Sequence, residues 1–461
     1  MPAIRIMASI VYKCSHCQAP AFLRICDTVS RRFYRHFSPE RMPAMRHWFR
    51  QNLIDPFPVE EVTTIADDEV DPQDADLTAS DIRTIWWAVE RLYRSGIQPA
   101  IAICLRRHGQ IVLHRSIGHT HGVAPGHLPA PDRRLAQPES LFNLFSASKA
   151  ITAMVMHWLD ERGYLHVGDR IADYIPEFAQ HGKDGITIRH VLHHKAGLPY
   201  LSDVAMDLDL LDEPDEIIRL LCEARPTAAP GRRLEYHSIT GGFLFAEICR
   251  RVTGRSIREI LDEAFCQPLG LDTFNYGIDE PRIPDVAPNI LTGPPPRFPL
   301  SLLFERAFGM PFEAAIEASN DPRFLRGIIP SANIVSTAEQ TCRFFEMLRN
   351  EGEWNGTQVL DPRTIHRATA EQTWGEIDQI LMMPIRYSLG FMLGSSSFGL
   401  YGFNTPNAFG HLGFTSIVTW ADPDRAISCA LLCNGKPVAT LRNLWWLNIM
   451  TTISARCRPI R

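Results

Sequence analysis

The sequence predicts a fold of the α/β (α+β) class: an antiparallel sheet flanked by helices, with a large, mostly helical insertion at about residues 165–380. Three observations predict it. Two β-rich apolar runs, PAIAICLRR (99–107) and QIVLHRSIG (110–118), open the globular part. A block dominated by helical and loop signals follows. Three more strand-like runs, YSLGFML (387–393), FTSIVTW (414–420) and AISCALLC (426–433), close the chain. Strands split in this way form one sheet when the block between them folds as an insertion.

The elements read in order as follows. Residues 1–50 are arginine-rich and carry only Asp27 and Glu40 as acids. No apolar signal-peptide core is present. Such a start is compatible with an organellar transit peptide, a loose amphipathic arm, or a start codon placed too early, with Met42 or Met45 as the true start. Residues 56–79 are acidic and Pro-punctuated and predict a linker, so that 1–79 precede a globular unit at 80–461. Ser80 is placed to cap a helix over DIRTIWWAVERLYRSG that closes at Gly96. His108-Gly109 predicts a hairpin between the first two strands. After a Pro/Gly-rich loop, LFNLFSASKAITAMVMHWLDERG shows helical spacing from about 147 to 159, and Gly163 ends it. The Pro-dense stretch 283–300 is too long for a simple connector. A last helix, carrying Trp445 and Trp446, is expected over about 437–456.

Composition excludes several classes. The chain has 461 residues, a net charge of −5 and 21% charged residues, so it does not read as a general nucleic-acid binder. Its longest apolar runs are far too short to span a bilayer, so no integral membrane segment is expected. Eleven cysteines, several inside apolar runs, read as small core residues and predict a reducing, cytoplasmic setting, unless the arginine-rich start is a targeting segment. Cys14 and Cys17, with Cys26 and His36, make an irregular set, and no metal is expected there. His193-His194 lacks a third ligand at metal spacing and predicts a structural turn. No nucleotide-binding glycine motif occurs, and no cofactor is expected.

Three motifs carry chemistry. Ser146-Ala147-Ser148-Lys149 is the only S-x-x-K in a chain with five lysines. Chance alone gives about 0.3 such matches, so the tetrad is weak evidence by itself. On a helical turn, residues i and i+3 share a face, so the hydroxyl and the amine meet. A lysine in an apolar pocket has its charged form disfavoured and acts as a base, which arginine cannot do. Tyr236-His237-Ser238 precedes an apolar helix, where a tyrosine hydroxyl can relay a proton. Gly410-His411-Leu412-Gly413 precedes the run FTSIVTW. Glycine at a strand edge admits substrate to the backbone, and the N–H of Phe414 can join that of Ser146 as an oxyanion hole.

The order Ser-x-x-Lys, Tyr-x-Ser, His-x-Gly resembles the serine β-lactamase and penicillin-binding-protein superfamily, and most of all its class C-like branch with the family VIII carboxylesterases and D-aminopeptidase-like enzymes. LHHKAGLP (192–199), YHSITGGFLFAEICRRVTGRSI, SANIVSTAEQTCRFFEMLRN (331–350) and YSLGF (387–391) share the likeness, which covers about residues 80–440. It implies Ser146 as nucleophile, Lys149 as its base and Tyr236 as an aid to acylation and deacylation. Ser238, His411, Gly413 and Phe414 would line the substrate pocket. Two departures stand out: Ser238 replaces the lactamase asparagine, and His411 replaces the lysine that meets a substrate carboxylate. Both tilt the expectation from β-lactams to a small-molecule ester or amide, cleaved through an acyl-enzyme by a carboxylesterase. A β-lactamase or D-alanyl-D-alanine carboxypeptidase, an acyltransferase, and a non-catalytic structural relative are the alternatives.

Overall fold

The segment expected as an acidic linker instead supplies the edge of the sheet. In the computed structural model, which describes residues 52–200 and 207–460 apart from positions 299, 309 and 439, Thr63–Ile65 forms strand β1. Its β-branched triplet suits a strand. Its acids have partners too: Glu69 accepts two hydrogen bonds from the Arg115 guanidinium, each at 2.7 Å, and one from the His114 N–H at 2.7 Å. The arm at 1–51, including Cys14, Cys17, Cys26 and His36, lies outside the described residues.

Helix α1 spans Ala79–Arg94. Its cap is Thr78 rather than the expected Ser80: the Thr78 hydroxyl accepts the Asp81 N–H at 3.2 Å, and Asp81 returns the bond to the Thr78 N–H at 3.0 Å. Such a cap contributes about 1 kcal/mol. Ile82, Ile85, Val89 and Leu92 form its buried stripe. Strands β2 (Ala100–Arg107) and β3 (Gln110–His121) follow. Their turn holds His108 and Gly109 at φ 50° and 80°, the left-handed pair that a two-residue hairpin needs. Next come β4 (Arg134–Leu135), α2 (Ser148–Glu161), α3 (Thr240–Thr253) and α4 (Ala338–Arg349). The chain closes with β5 (Met392–Leu393), β6 (Phe409–Leu412), β7 (Val418–Asp422), β8 (Ile427–Cys433) and α5 (Trp445–Arg456).

The main sheet runs β1-β3-β2-β8-β7-β6-β5, with β4 also paired to β3. Every pairing in it is antiparallel. Alternate residues of β2 point to opposite faces. Ile101, Ile103 and Leu105 join α1 and α5, whereas Ala102 and Cys104 join α2 and α4. Burying a large aliphatic side chain contributes about 1.5–3 kcal/mol, so these layers hold the sheet from both sides. The eight described cysteines are all buried and unpaired.

Three boundaries differ from expectation. Of YSLGFML, only Met392–Leu393 is strand, because Gly390 turns the chain at φ 122° against Ala153. His411 lies on a strand of its own, β6, and FTSIVTW becomes strand only at Val418; residues 413–417 form the turn between them. The last helix starts at Trp445, after a 3₁₀ turn over Leu441–Leu444. Within the expected helical block, the short strand Ile334–Ser336 pairs on one side with Asn275–Tyr276 and on the other with Phe142–Asn143 in a small sheet. That sheet leads directly into the site.

Candidate active site

Asn143 ends the strand that enters the site. Its side-chain oxygen accepts the Phe145 N–H at 3.2 Å, and the Leu144 N–H donates to the Ile334 carbonyl at 2.8 Å. Phe145 is then held at φ 48°. A bulky residue in this left-handed region is strained, and such strain is concentrated at functional sites. A 3₁₀ turn over Phe145–Ala147 carries Ser146, and α2 begins at Ser148. The Ser148 hydroxyl accepts the Ile334 N–H at 3.1 Å, which ties the turn to the small sheet.

Lys149, one turn on, places its Nζ 3.1 Å from Ser146 Oγ and 3.0 Å from the carbonyl oxygen of Ser331. Burial pulls its pKa well below the ordinary lysine value. A neutral amine so placed can accept the Ser146 proton. Tyr236 flanks both groups: its ring lies 4.8 Å from Lys149 Nζ. Burial raises the Tyr236 pKa, the Ser146 side chain opposes this, and the nearby Asp378 charge adds to the rise. The phenol therefore stays protonated.

His411 closes the far side, with its ring 6.3 Å from that of Tyr236. Its Nδ1–H donates to the Leu412 carbonyl at 2.7 Å, which leaves Nε2 as a buried acceptor with no protein partner. Burial, reinforced by the Lys149 charge, pushes its pKa down to about 3, so it is neutral at pH 7. Gly413 sits against the turn that carries Ser146. A Cβ there would lie 2.5 Å from the Leu144 carbonyl oxygen and 2.8 Å from the Ile417 side chain. Phe414 follows, its ring 5.2 Å from that of Phe145. Ser238 is buried, with its N–H on the Pro199 carbonyl at 3.4 Å, two residues before α3.

The Beta-lactamase family model matches residues 88–451 of this chain. The chain belongs to the beta-lactamase family. It is 32% identical to the Esterase/beta-lactamase LipL of Mycobacterium tuberculosis over 308 residues, which cover 63% of this chain and 68% of that protein. It is 30% identical to the Esterase EstB of Burkholderia gladioli over 202 residues, covering 40% of this chain and 48% of that one. Among solved structures, a penicillin-binding protein homologue from Caulobacter crescentus superposes with a TM-score of 0.69 at 28% identity, covering 82% of this chain and 98% of that one. A family VIII carboxylesterase matches with a TM-score of 0.70 at 23% identity, over 83% and 99% of the two chains, and shares the fold. The protein is thus a hydrolase of the beta-lactamase family, with esterases among its relatives.

Four further residues meet this beta-lactamase-family site; sequence reasoning places His194 only in a structural turn and does not single out the other three. Ser331 accepts from Lys149 through its carbonyl, while its hydroxyl accepts the Gly242 N–H at 3.1 Å, so one residue joins the lysine to α3. Asp378 is fully buried. Its Oδ1 accepts the N–H groups of Tyr236, Ile380 and Leu381 at 3.3, 2.9 and 3.0 Å, and its Oδ2 accepts the Tyr387 hydroxyl at 3.1 Å. Those bonds oppose the upward pull of burial on its pKa. His194, held at φ 61°, lies 4.7 Å from the Tyr236 ring and accepts the His237 N–H at 3.2 Å. Lys436 is buried beside the Ser146 turn, 4.8 Å from the Phe145 ring, with its Nζ on the Cys433 carbonyl at 2.8 Å; burial lowers its pKa to about 7. Among the described residues, no cluster of three or more His, Cys, Asp or Glu side chains is arranged to hold a metal.

Proposed function

We propose that this protein is a carboxylesterase that works through an acyl-enzyme on Ser146. One observation carries the reading: Ser146 Oγ lies 3.1 Å from a desolvated Lys149 amine, with the Tyr236 ring 4.8 Å from that amine and the neutral His411 ring 6.3 Å from Tyr236. Neutral Lys149 takes the hydroxyl proton as Ser146 Oγ bonds to the ester carbonyl carbon. The N–H groups of Ser146 and Phe414 stabilise the developing oxyanion. The tetrahedral intermediate collapses, and the bond to the leaving alkoxide breaks. The alkoxide takes a proton from the Tyr236 hydroxyl, which is refilled from the Lys149 ammonium. Water then attacks the acyl-enzyme by the same groups in reverse, which releases the acid and restores Ser146. No cofactor enters these steps.

The polar wall sets the preference among acyl compounds. His411 offers a hydrogen-bond acceptor and no fixed positive charge, so a substrate carboxylate finds no strong clamp there. This favours neutral esters over penicillins. The test is a panel of p-nitrophenyl esters of graded chain length, a chromogenic cephalosporin and D-amino-acid amides. The reading expects the highest kcat/KM on an ester. A cephalosporin hydrolysed faster than every ester would replace it with the lactamase reading. Transfer of the acyl group to an added alcohol in preference to water would make the protein an acyltransferase.

A further inference from the structure

Lys436 takes no part in the proposed acyl transfer, yet it lies against the chain that carries Ser146. It follows β8 in the run Asn434-Gly435-Lys436 and is fully buried. Its backbone is pinned. Gly435 donates its N–H to Gln98 Oε1 at 3.0 Å, and a Cβ on Gly435 would lie 2.1 Å from the Ile97 carbonyl oxygen. Gly435 and Lys436 pair in parallel with Ile290 and Leu291. Among the described residues, the one hydrogen bond of Lys436 Nζ runs to the Cys433 carbonyl at 2.8 Å, and no carboxylate acts on it. A buried ammonium without a counter-ion is costly, and a methionine would fill much the same space without that cost. Packing alone does not account for a lysine here.

What the ammonium does meet is an aromatic face. Nζ lies 4.8 Å from the centroid of the Phe145 ring. A cation at that range is attracted to the ring, and more strongly once desolvated. Phe145 immediately precedes Ser146 and is held at φ 48°. Its ring also meets that of Phe414, with centroids 5.2 Å apart. The Gly435 carbonyl accepts the Thr415 hydroxyl at 3.4 Å. Segment 435–436 therefore touches the chain beside both N–H donors of the proposed oxyanion hole, those of Ser146 and Phe414. We propose that Lys436, as its ammonium, is a positioning residue that fixes the Phe145 ring and so aims the Ser146 N–H at the developing oxyanion. This role rests on Ser146 as the nucleophile and not on an ester as the substrate.

The charge on Lys436 is lost as pH rises. Burial lowers its pKa to about 7, so the ammonium is present below that value and absent above it. The titratable group that acts on it is the Cys433 thiol, which burial lifts to about 12 and which stays neutral over this range. Phe145, Gln98 and Leu291 do not titrate.

The test is the second-order rate at which a fluorophosphonate labels Ser146 in the full-length protein, followed from about pH 6 to about pH 9. Labelling uses the same oxyanion hole and needs no knowledge of the natural acyl group. Lys149 titrates in wild type and variants alike, so it cancels in a ratio of their rates. The ratio of wild type to Lys436→Met should be about tenfold near pH 6 and approach one by about pH 9. Lys436→Arg keeps its charge throughout, so its rate should stay about tenfold above that of Lys436→Met across the range. If the larger arginine unfolds the protein, the ratio of wild type to Lys436→Met decides alone. A ratio that does not change with pH would make Lys436 a packing residue and overturn the role, as would equal rates near pH 6. The expected ratios in a protein that hydrolyses no ester would sink the esterase reading and leave Lys436 in its role. A wild-type Ser146 that takes no label would sink both.

Discussion

The amine of Lys149 reaches the carbonyl oxygen of Ser331 at 3.0 Å while lying 3.1 Å from the hydroxyl of Ser146. A neutral amine has two hydrogens and one lone pair. Donating one hydrogen to Ser331 fixes the amine, and the lone pair is left for the serine proton. Burial depresses the lysine pKa, which favours this neutral form.

The base role proposed for Lys149 predicts its own mutants. Lys149→Ala and Lys149→Arg should both lower kcat by about 10²–10⁴-fold, because arginine keeps the charge but cannot release its proton. Steady-state ester hydrolysis checks this. An arginine variant close to wild type would reduce Lys149 to a fixed charge.

The pH dependence follows from the same shift. In the proposed mechanism the reactive form of Lys149 is the unprotonated one, so activity should rise with pH as that proton leaves. Because the pKa is lowered, the midpoint of the rise should fall well below the ordinary value of about 10.4. His411, held near 3, should add no step between about pH 5 and 8. A kcat/KM profile with its midpoint near the ordinary lysine value would show that burial does not activate Lys149.

Gly413→Ala should damage the site through sterics alone. The new methyl would press within 2.5 Å of the Leu144 carbonyl oxygen, two residues before Ser146. Overpacking of this kind costs about 1–3 kcal/mol. Thermal unfolding should shift downward and kcat should fall with it. An unchanged unfolding temperature and rate would mean that this contact is slack.

His411→Lys should alter substrate class. A positive charge here would meet a substrate carboxylate, an interaction worth about 1.5–3 kcal/mol when well formed. Burial beside Lys149 works against that charge, so the ratio of kcat/KM for penicillin to that for a neutral ester should rise by only about tenfold. The two substrates, assayed in wild type and variant, give the ratio directly. No rise would remove His411 from the determinants of specificity.

Local patterns in the sequence exposed the part of the site that is local. Ser146 and Lys149 are three residues apart, and their helical spacing was readable. So were the hairpin at His108-Gly109 and the split order of the strands. Long-range contacts were not readable. Ser331 meets Lys149 from 182 positions away, and Asp378 meets Tyr236 from 142. No spacing rule links such pairs; only the folded sheet does. Strand β1 was hidden for another reason: the acids around it read as solvated linker, whereas Glu69 finds its counter-charge in Arg115 on the neighbouring strand. This changes an expectation about the N-terminus. A cut at 75, inside the expected linker, takes away β1 and Glu69 and should lower the unfolding temperature, whereas a cut at 51 should leave short-ester hydrolysis intact.

The central claim is that Ser146 is the acylated residue. Labelling with a fluorophosphonate, followed by peptide mass spectrometry, tests it most directly. The label should appear stoichiometrically on the peptide that contains Ser146, vanish in Ser146→Ala, and form far more slowly in Lys149→Ala. A wild-type protein that hydrolyses esters while Ser146 stays unlabelled, or a Ser146→Ala variant that keeps its activity, would contradict the account.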